Sequence, residues 1–256
     1  MEPLSPSPSP AAAGGKRKRD DDSKQSKRAR RRKNKTPKNI DEGDLDEEKG
    51  MNVAIGRMDS RLLADYMAQR TKRYEPDLSL VELEERYIPE RAIRDTSIWE
   101  QERSLPNLPT YLETFAQEDV KKVPKKAGHP HTIVVAGAGI RAADLTRSLR
   151  KFETKDVKVA KLFAKHIKLK EAMESCKRMK MNIGVGTPQR IIDLLDGGAL
   201  STDNLKRIVV DASYIDDKKR GVMDMKDTQP PLAKLLTRED LKARYGKDKK
   251  IELLFY

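Results

Sequence analysis

The chain has 256 residues, 37% charged and 36% hydrophobic, with a formal net charge of +13 and a mean hydropathy of −0.79. Part of such a chain lacks the apolar surface to build a core, and the excess of cations points to polyanionic partners. A single cysteine, Cys176, excludes an intramolecular disulfide and a multi-cysteine metal site, and no apolar run approaches the ~20 residues that cross a bilayer, so no membrane partner is expected.

The charge is concentrated near the start. Residues 1–13 are mostly Ser, Pro and Ala, and they lack the basic and apolar regions of a signal peptide, so an intracellular protein is expected. Residues 16–38 carry 13 Lys and Arg against 3 Asp, a balance of +10, which leaves the remainder at only +3. The first cluster is Lys16, Arg17, Lys18 and Arg19; the second is Lys27, Arg28, Arg30, Arg31, Arg32 and Lys33. An acidic patch, Asp41 to Glu48, follows. Blocks of like charge repel themselves, so residues 1–50 are expected to form a disordered tail. Two basic clusters with a short spacer read as a nuclear import signal, with an import receptor as partner, and as a non-specific RNA contact.

Residues 51–127 read as an arm. Asp59 or Ser60 is expected to cap a helix over 61–72, with Leu62, Leu63, Tyr66 and Met67 on one face. A second short pattern (Leu78, Leu80, Val81, Leu83) precedes Pro89. Trp99, Leu105, Leu108, Tyr111, Leu112 and Phe115 are scattered among prolines, too dispersed for an RNA-stacking platform. Short helices lying on another surface are expected.

From residue 128 strands alternate with helices. Strands are predicted at 132–136, 157–164, 182–185, 207–211 and 251–255, with helices after Gly139 and over 168–180, 188–195 and 231–245. The fold class expected is α/β: residues 128–256 form a single parallel sheet of about five strands with flanking helices, preceded by the arm and the basic tail.

Three patterns bear on chemistry. Gly137-Ala-Gly139-Ile-Arg-Ala142 matches a G-x-G-x-x-A dinucleotide loop after a strand, but the next strand ends in Leu162-Phe-Ala-Lys-His166, without the acid that holds a ribose. A tight strand-to-helix turn explains it equally. No Walker phosphate loop is present: Gly-Lys occurs at Gly15-Lys16 and Gly246-Lys247 without the upstream glycine. The third pattern runs from Gly184-Val-Gly-Thr187-Pro188-Gln-Arg190 to Arg207-Ile-Val-Val-Asp211-Ala-Ser-Tyr214. Thr187 and Pro188 open a helix whose free amides suit a phosphate, with Arg190 one turn in. Lys177 and Arg178 oppose the apolar stripe of their helix, a solvated face or an RNA stripe. Cys176 on that stripe reads as a core thiol, and His129, His131 and His166 lack partners for a metal site.

The third pattern resembles the "TPGR…DEAD" run of the first RecA-like domain of DEAD-box RNA helicases, and Arg141 stands where the arginine of the "PTRELA" element falls. In that family these two elements grip RNA, while the Asp-Glu pair binds magnesium and positions water. Here Asp211 is kept, but Ala212 and Tyr214 replace the other acids. The chain also ends at Tyr256, where the helicase pattern continues into a second domain, so no working helicase is expected. A narrower resemblance rests on Ala64-Asp-Tyr-Met-Ala-Gln-Arg-Thr-Lys72, residues 160–168, Gly184–Pro188 and residues 211–224. These phrases are similar to the Cms-one family, a DEAD-box-like, non-catalytic subunit of the snoRNA-containing 90S pre-ribosomal complex. The resemblance implies a nuclear and nucleolar assembly factor for the small ribosomal subunit, with no catalytic residue, cofactor or metal. It would contact RNA (pre-rRNA or snoRNA) through Arg141, Thr187, Pro188, Arg190, Lys177 and Arg178, and pre-ribosomal proteins. The alternatives are a nucleotide-dependent oxidoreductase or transferase using Gly137–Gly139, and a protein-protein adaptor that touches no RNA.

Overall fold

A computed structural model of the chain describes residues 44–116, 120, 122–163, 167–246 and 251–256. It opens with a short antiparallel pair, β1 (Leu45–Asp46) and β2 (Met51–Asn52), and four helices: α1 (Ala54–Arg57), α2 (Ser60–Tyr74), α3 (Leu80–Glu85) and α4 (Leu108–Phe115). Asp59 is the cap of α2, its carboxylate accepting from the Leu62 amide at 2.8 Å, which satisfies one of the free donors of the first turn. The buried stripe of α2 is Leu63, Met67, Arg70 and Thr71, at helical spacing. Leu62, expected on that stripe, lies a third of a turn away and is 54% exposed.

The second half is β3 (Thr132–Val135), α5 (Gly139–Leu149), β4 (Lys158–Leu162), α6 (Leu169–Arg178), β5 (Met181–Gly186), α7 (Pro188–Asp196), β6 (Arg207–Val210), α8 (Gln229–Leu236), α9 (Glu239–Lys242) and β7 (Glu252–Phe255). The five strands β3–β7 pair in parallel in the order β4-β5-β3-β6-β7, the α/β sheet expected from the alternation of strands and helices. One helix predicted over 231–245 is two: the chain extends at Arg238, whose guanidinium reaches Asp196 at 2.6 Å and Asp240 at 3.1 Å.

Both faces of the sheet are apolar, because successive side chains of a strand point to opposite sides. Ile133, Val135, Ile208, Val210, Leu253 and Phe255 pack on one side, against α2, α7, α8 and α9. Val134, Val209, Leu254 and Tyr256 pack on the other, against α4 and α5. The arm therefore supplies helices to both faces, α1 and α2 to one and α4 to the other. Between them the chain crosses the open edge of β7, where Ile93 bridges Leu253 in parallel and the Arg94 amide donates to the Leu253 carbonyl at 2.9 Å. The aromatics dispersed in the sequence meet here: Trp99 stands edge-on to Tyr111 at 5.4 Å, and Tyr111 packs on Tyr256 at 4.6 Å.

Arg103 locks the crossing. Its buried guanidinium donates to the Phe255 carbonyl, to the Thr96 carbonyl at 2.9 Å and hydroxyl at 3.1 Å, and to the Gly56 carbonyl at 3.4 Å. Arg103→Ala would remove one donor from each of these acceptors; the Phe255 carbonyl keeps the Tyr111 hydroxyl and the Thr96 carbonyl keeps the Trp99 amide, while the Gly56 carbonyl and the Thr96 hydroxyl lose the bond outright. A buried group left unsatisfied costs about 1–3 kcal/mol, so we expect a loss of about 1–3 kcal/mol in denaturant unfolding, whereas alanine at the exposed Arg61 should change stability by less than about 0.5 kcal/mol.

Candidate functional site

In a parallel sheet the strands end at one edge, and ligands of such folds gather there. At this edge Val135 leads through Gly137 into α5, Gly186 leads through Thr187 into α7, and Val210 leads into Asp211. Arg141 is on the first turn of α5. It does not project freely: Nε donates to Asp211 Oδ2 at 2.8 Å and one Nη to Asp211 Oδ1 at 2.9 Å, a bidentate pair. Tyr214 lies beneath the guanidinium, its ring centre 4.0 Å from the Arg141 carbon. The side chains of Arg141 and Asp211 are 10% and 2% exposed. Burial opposes the guanidinium charge, but the hydrogen bond and charge of Asp211 outweigh it and hold Arg141 above its ordinary pKa. Burial pushes the Tyr214 phenol up, against the pull of Arg141.

The chain after β6 is fixed from several sides. The amides of Ala212 and Ser213 both donate to the Tyr256 carbonyl at 2.7 Å, and the Asp211 amide to the Val135 carbonyl at 2.9 Å. Ala212 is buried, and no carboxylate stands beside Asp211 at that position. Farther along, Asp224 pairs with Arg70 of α2 at 3.3 Å, both side chains almost fully buried, and the Tyr74 hydroxyl donates to the Asp224 carbonyl at 2.7 Å. Burial raises the Asp224 pKa, opposed by Arg70. Arg70 and Asp224 lie in two of the phrases that carry the narrower family resemblance, 64–72 and 211–224, and they join those phrases in space. Their spacing in sequence carries no signal of the contact.

The other residues singled out from sequence divide between two edges. Pro188 is buried and Thr187 half-buried at the opening of α7. Arg190 donates from both terminal nitrogens to the Ile167 carbonyl at 3.3 Å. Arg141 and Arg190 are thus at the same edge, but they turn to opposite neighbours. Lys177 and Arg178 are exposed in the last turn of α6, which leads back to the start of β5 and so to the other edge of the sheet. The import-signal residues, Lys16 to Arg19 and Lys27 to Lys33, lie outside the described residues, as does His166.

The glycine turn is filled from within the chain. A Cβ at Gly137 would meet Met225 Cε at 2.8 Å and Val222 Cα at 3.2 Å, so the close approach that glycine permits is used by the loop after β6. Cys176 is buried, and burial pushes its thiol up to about 11. Among the described residues, no group of three or more His, Cys, Asp and Glu is placed to hold a metal ion, and no helix is long and apolar enough to cross a membrane.

Arg141→Glu would set a carboxylate against the buried Asp211. Breaking a buried pair in this way costs about 3–5 kcal/mol. With roughly 2–4 °C per kcal/mol for a chain of this size, Tm should fall by roughly 6–20 °C in a thermal melt. Arg141→Lys, which keeps the charge and gives up the two-pronged hydrogen bonding, should fall between this variant and the wild type.

Known proteins resemble this chain at three levels. Among solved structures, a Saccharomyces cerevisiae Dbp5 complex with Nup159, Gle1 and ADP is similar over 52% of this chain and 31% of its own, at 17% identity and a TM-score of 0.35. A DEAD box protein of Methanococcus jannaschii is similar over 53% and 33%, at 18% identity and a TM-score of 0.34. The similarity thus spans about a third of either one. Among curated relatives, Protein CMS1 of Chaetomium thermophilum is 56% identical over 226 residues, 87% of this chain and 90% of the relative. Protein cms1 of Schizosaccharomyces pombe is 29% identical over 76% and 69%, and human Protein CMSS1 30% identical over 69% and 59%. The family model described as "CMS1: U3-containing 90S pre-ribosomal complex subunit" matches residues 12–256. With a match that runs through the arm, the sheet and the locked Arg141–Asp211 edge, the chain belongs to the CMS1 family.

Proposed function

We propose that this chain is a non-catalytic subunit of the early small-subunit pre-ribosome, acting in the nucleolus and contacting both RNA and pre-ribosomal proteins. Family membership over residues 12–256 is the observation that carries this reading. The Arg141–Asp211 pair supports its non-catalytic part. In phosphoryl-transfer enzymes a strand-end carboxylate serves a metal ion, and a neighbouring acid or amide orients water. Here both oxygens of Asp211 are occupied by Arg141, the neighbour is Ala212, and the aromatic face of Tyr214 closes the space beside them. The arrangement neutralises the carboxylate internally and builds a rigid strand end.

RNA contact is proposed for exposed cations, Lys177 and Arg178 among them, and for the helix opening at Thr187, Pro188 and Arg190; Arg141 would act mainly by holding Asp211. The clusters Lys16–Arg19 and Lys27–Lys33 are proposed to carry nuclear import through an import receptor and most of the sequence-independent RNA affinity.

Two measurements test this. In a thermal melt with saturating Mg-ATP, a ligand at 100 times its dissociation constant would stabilise the protein by about 2.7 kcal/mol. We expect no shift and no phosphate release; either one would remove the non-catalytic reading. Deleting residues 1–50 should move the protein to the cytoplasm and flatten the salt dependence of its RNA binding. A truncated protein that still concentrates in nucleoli would transfer the import role to a partner.

A further inference from the structure

The edge of the sheet where the strands begin lies opposite the Arg141–Asp211 edge and has a different electrostatic character. Lys158 opens β4, Lys180 precedes β5, and Lys206 precedes β6. The segment that enters β3, residues 122–131, is folded across this edge. The Gly128 amide donates to the Met179 carbonyl at 3.1 Å, and the Gly128 carbonyl accepts from the Ser201 amide at 2.8 Å. The Asn204 side chain donates to the His129 carbonyl at 3.1 Å. Gly128 has φ +70°, and a Cβ there would stand 2.6 Å from the Ala199 carbonyl oxygen, so only glycine lets the segment lie this close.

The anchored segment forms one wall of a cleft of about 410 Å³. Lys122, Lys125, Lys126, His129 and Lys206 line it, and Asp203, 3.7 Å from His129 Nε2, is the one carboxylate among its described lining residues. Lys125 and Lys126 are exposed, as are Lys177, Arg178 and Lys180 at the end of α6. The Gly128–Met179 hydrogen bond joins the segment that carries Lys125 and Lys126 to the chain just after Arg178, so both groups of cations stand at this edge.

We propose that this cleft is the RNA phosphate-backbone site of the folded part of the chain. This rests on the proposed reading that the protein touches RNA, and it names the surface. Lysine is a flexible, strongly hydrated point charge that suits phosphates contacted without regard to sequence. The centre of a protein-protein interface is instead depleted in lysine and enriched in aromatic residues, which the lining of this cleft lacks. At the opposite edge Arg141 and Arg190 are engaged by the chain itself. The helicase-like pattern of the sequence draws attention to that edge, while the exposed cations Lys125, Lys126, Lys177, Arg178 and Lys180 stand at the other.

The test uses the full chain with Lys125→Glu and Lys126→Glu together, binding oligouridine over a salt series, and mapping of uridine photo-crosslinks by residue. Each phosphate no longer neutralised should lower the slope of log affinity against log salt by about 0.7, so the pair should lower it by about 1.4, with crosslinks over residues 122–131 in the wild type. Lys125→Arg with Lys126→Arg should behave as wild type, and all three proteins should melt alike, since both side chains are exposed. An unchanged slope with crosslinks confined to residues 1–50 overturns this site and leaves the RNA reading standing. No RNA binding by the wild type overturns both. Unchanged RNA binding together with failure to associate with pre-ribosomal proteins assigns the cleft to an acidic protein surface, and also overturns the proposal.

Discussion

The carbonyl of Phe255, at the end of β7, accepts from both Arg103 and the Tyr111 hydroxyl, and this small knot ties the arm to the sheet among the described residues. A parallel sheet that is apolar on both faces needs cover on each side and protection of its open edge. One stretch of chain meets all three needs here. Helix α2 lies on one face, α4 on the other, and the segment between them pairs with β7 through Ile93. Arg103 is the point where that segment is pinned to the strand, and the aromatic cluster of Trp99, Tyr111, Phe115 and Tyr256 fills the space around it. Among the described residues the arm is therefore a working part of the core.

The same economy governs the strand-end edge. Asp211 is a buried carboxylate, and a buried charge must be neutralised to be tolerated. Arg141 does so with two hydrogen bonds, Tyr214 braces the guanidinium, and the Tyr256 carbonyl holds the two amides that follow Asp211. Met225 and Val222 pack over Gly137. Where a doubly wound fold commonly presents a ligand, this one presents its own side chains. The opposite edge is built differently, with cations along the strand starts and a segment anchored by backbone hydrogen bonds.

The alternation of strands and helices was legible in sequence because it depends on local patterns. Ile133, Val134 and Val135 form a β-branched run that ends at Gly137, and Ile208, Val209 and Val210 form another that ends at Asp211. Pro188 marks the start of α7, and Asp59 caps α2 as its side-chain chemistry requires. The family phrases were legible because each is a contiguous run of residues. That two of them meet through Arg70 and Asp224 was not, since nothing local records the contact. The break at Arg238 was missed because an extended residue without glycine or proline leaves no local mark.

What the sequence determined by itself was the class of fold, the concentration of charge in residues 16–38, and the absence of an acid at Ala212 and Tyr214 beside Asp211. Only the tertiary structure decided what each polar group does. Arg141 and Asp211 are 70 residues apart and meet because β3 and β6 are neighbours in the sheet. Trp99, Tyr111 and Tyr256 converge because the arm crosses the β7 edge. Lys125 and Lys206 share a cleft because parallel strands begin together. Local propensity depends on residues a few positions apart, whereas pairing, burial and surface charge depend on which strands become neighbours, and the order β4-β5-β3-β6-β7 is written nowhere in any one segment.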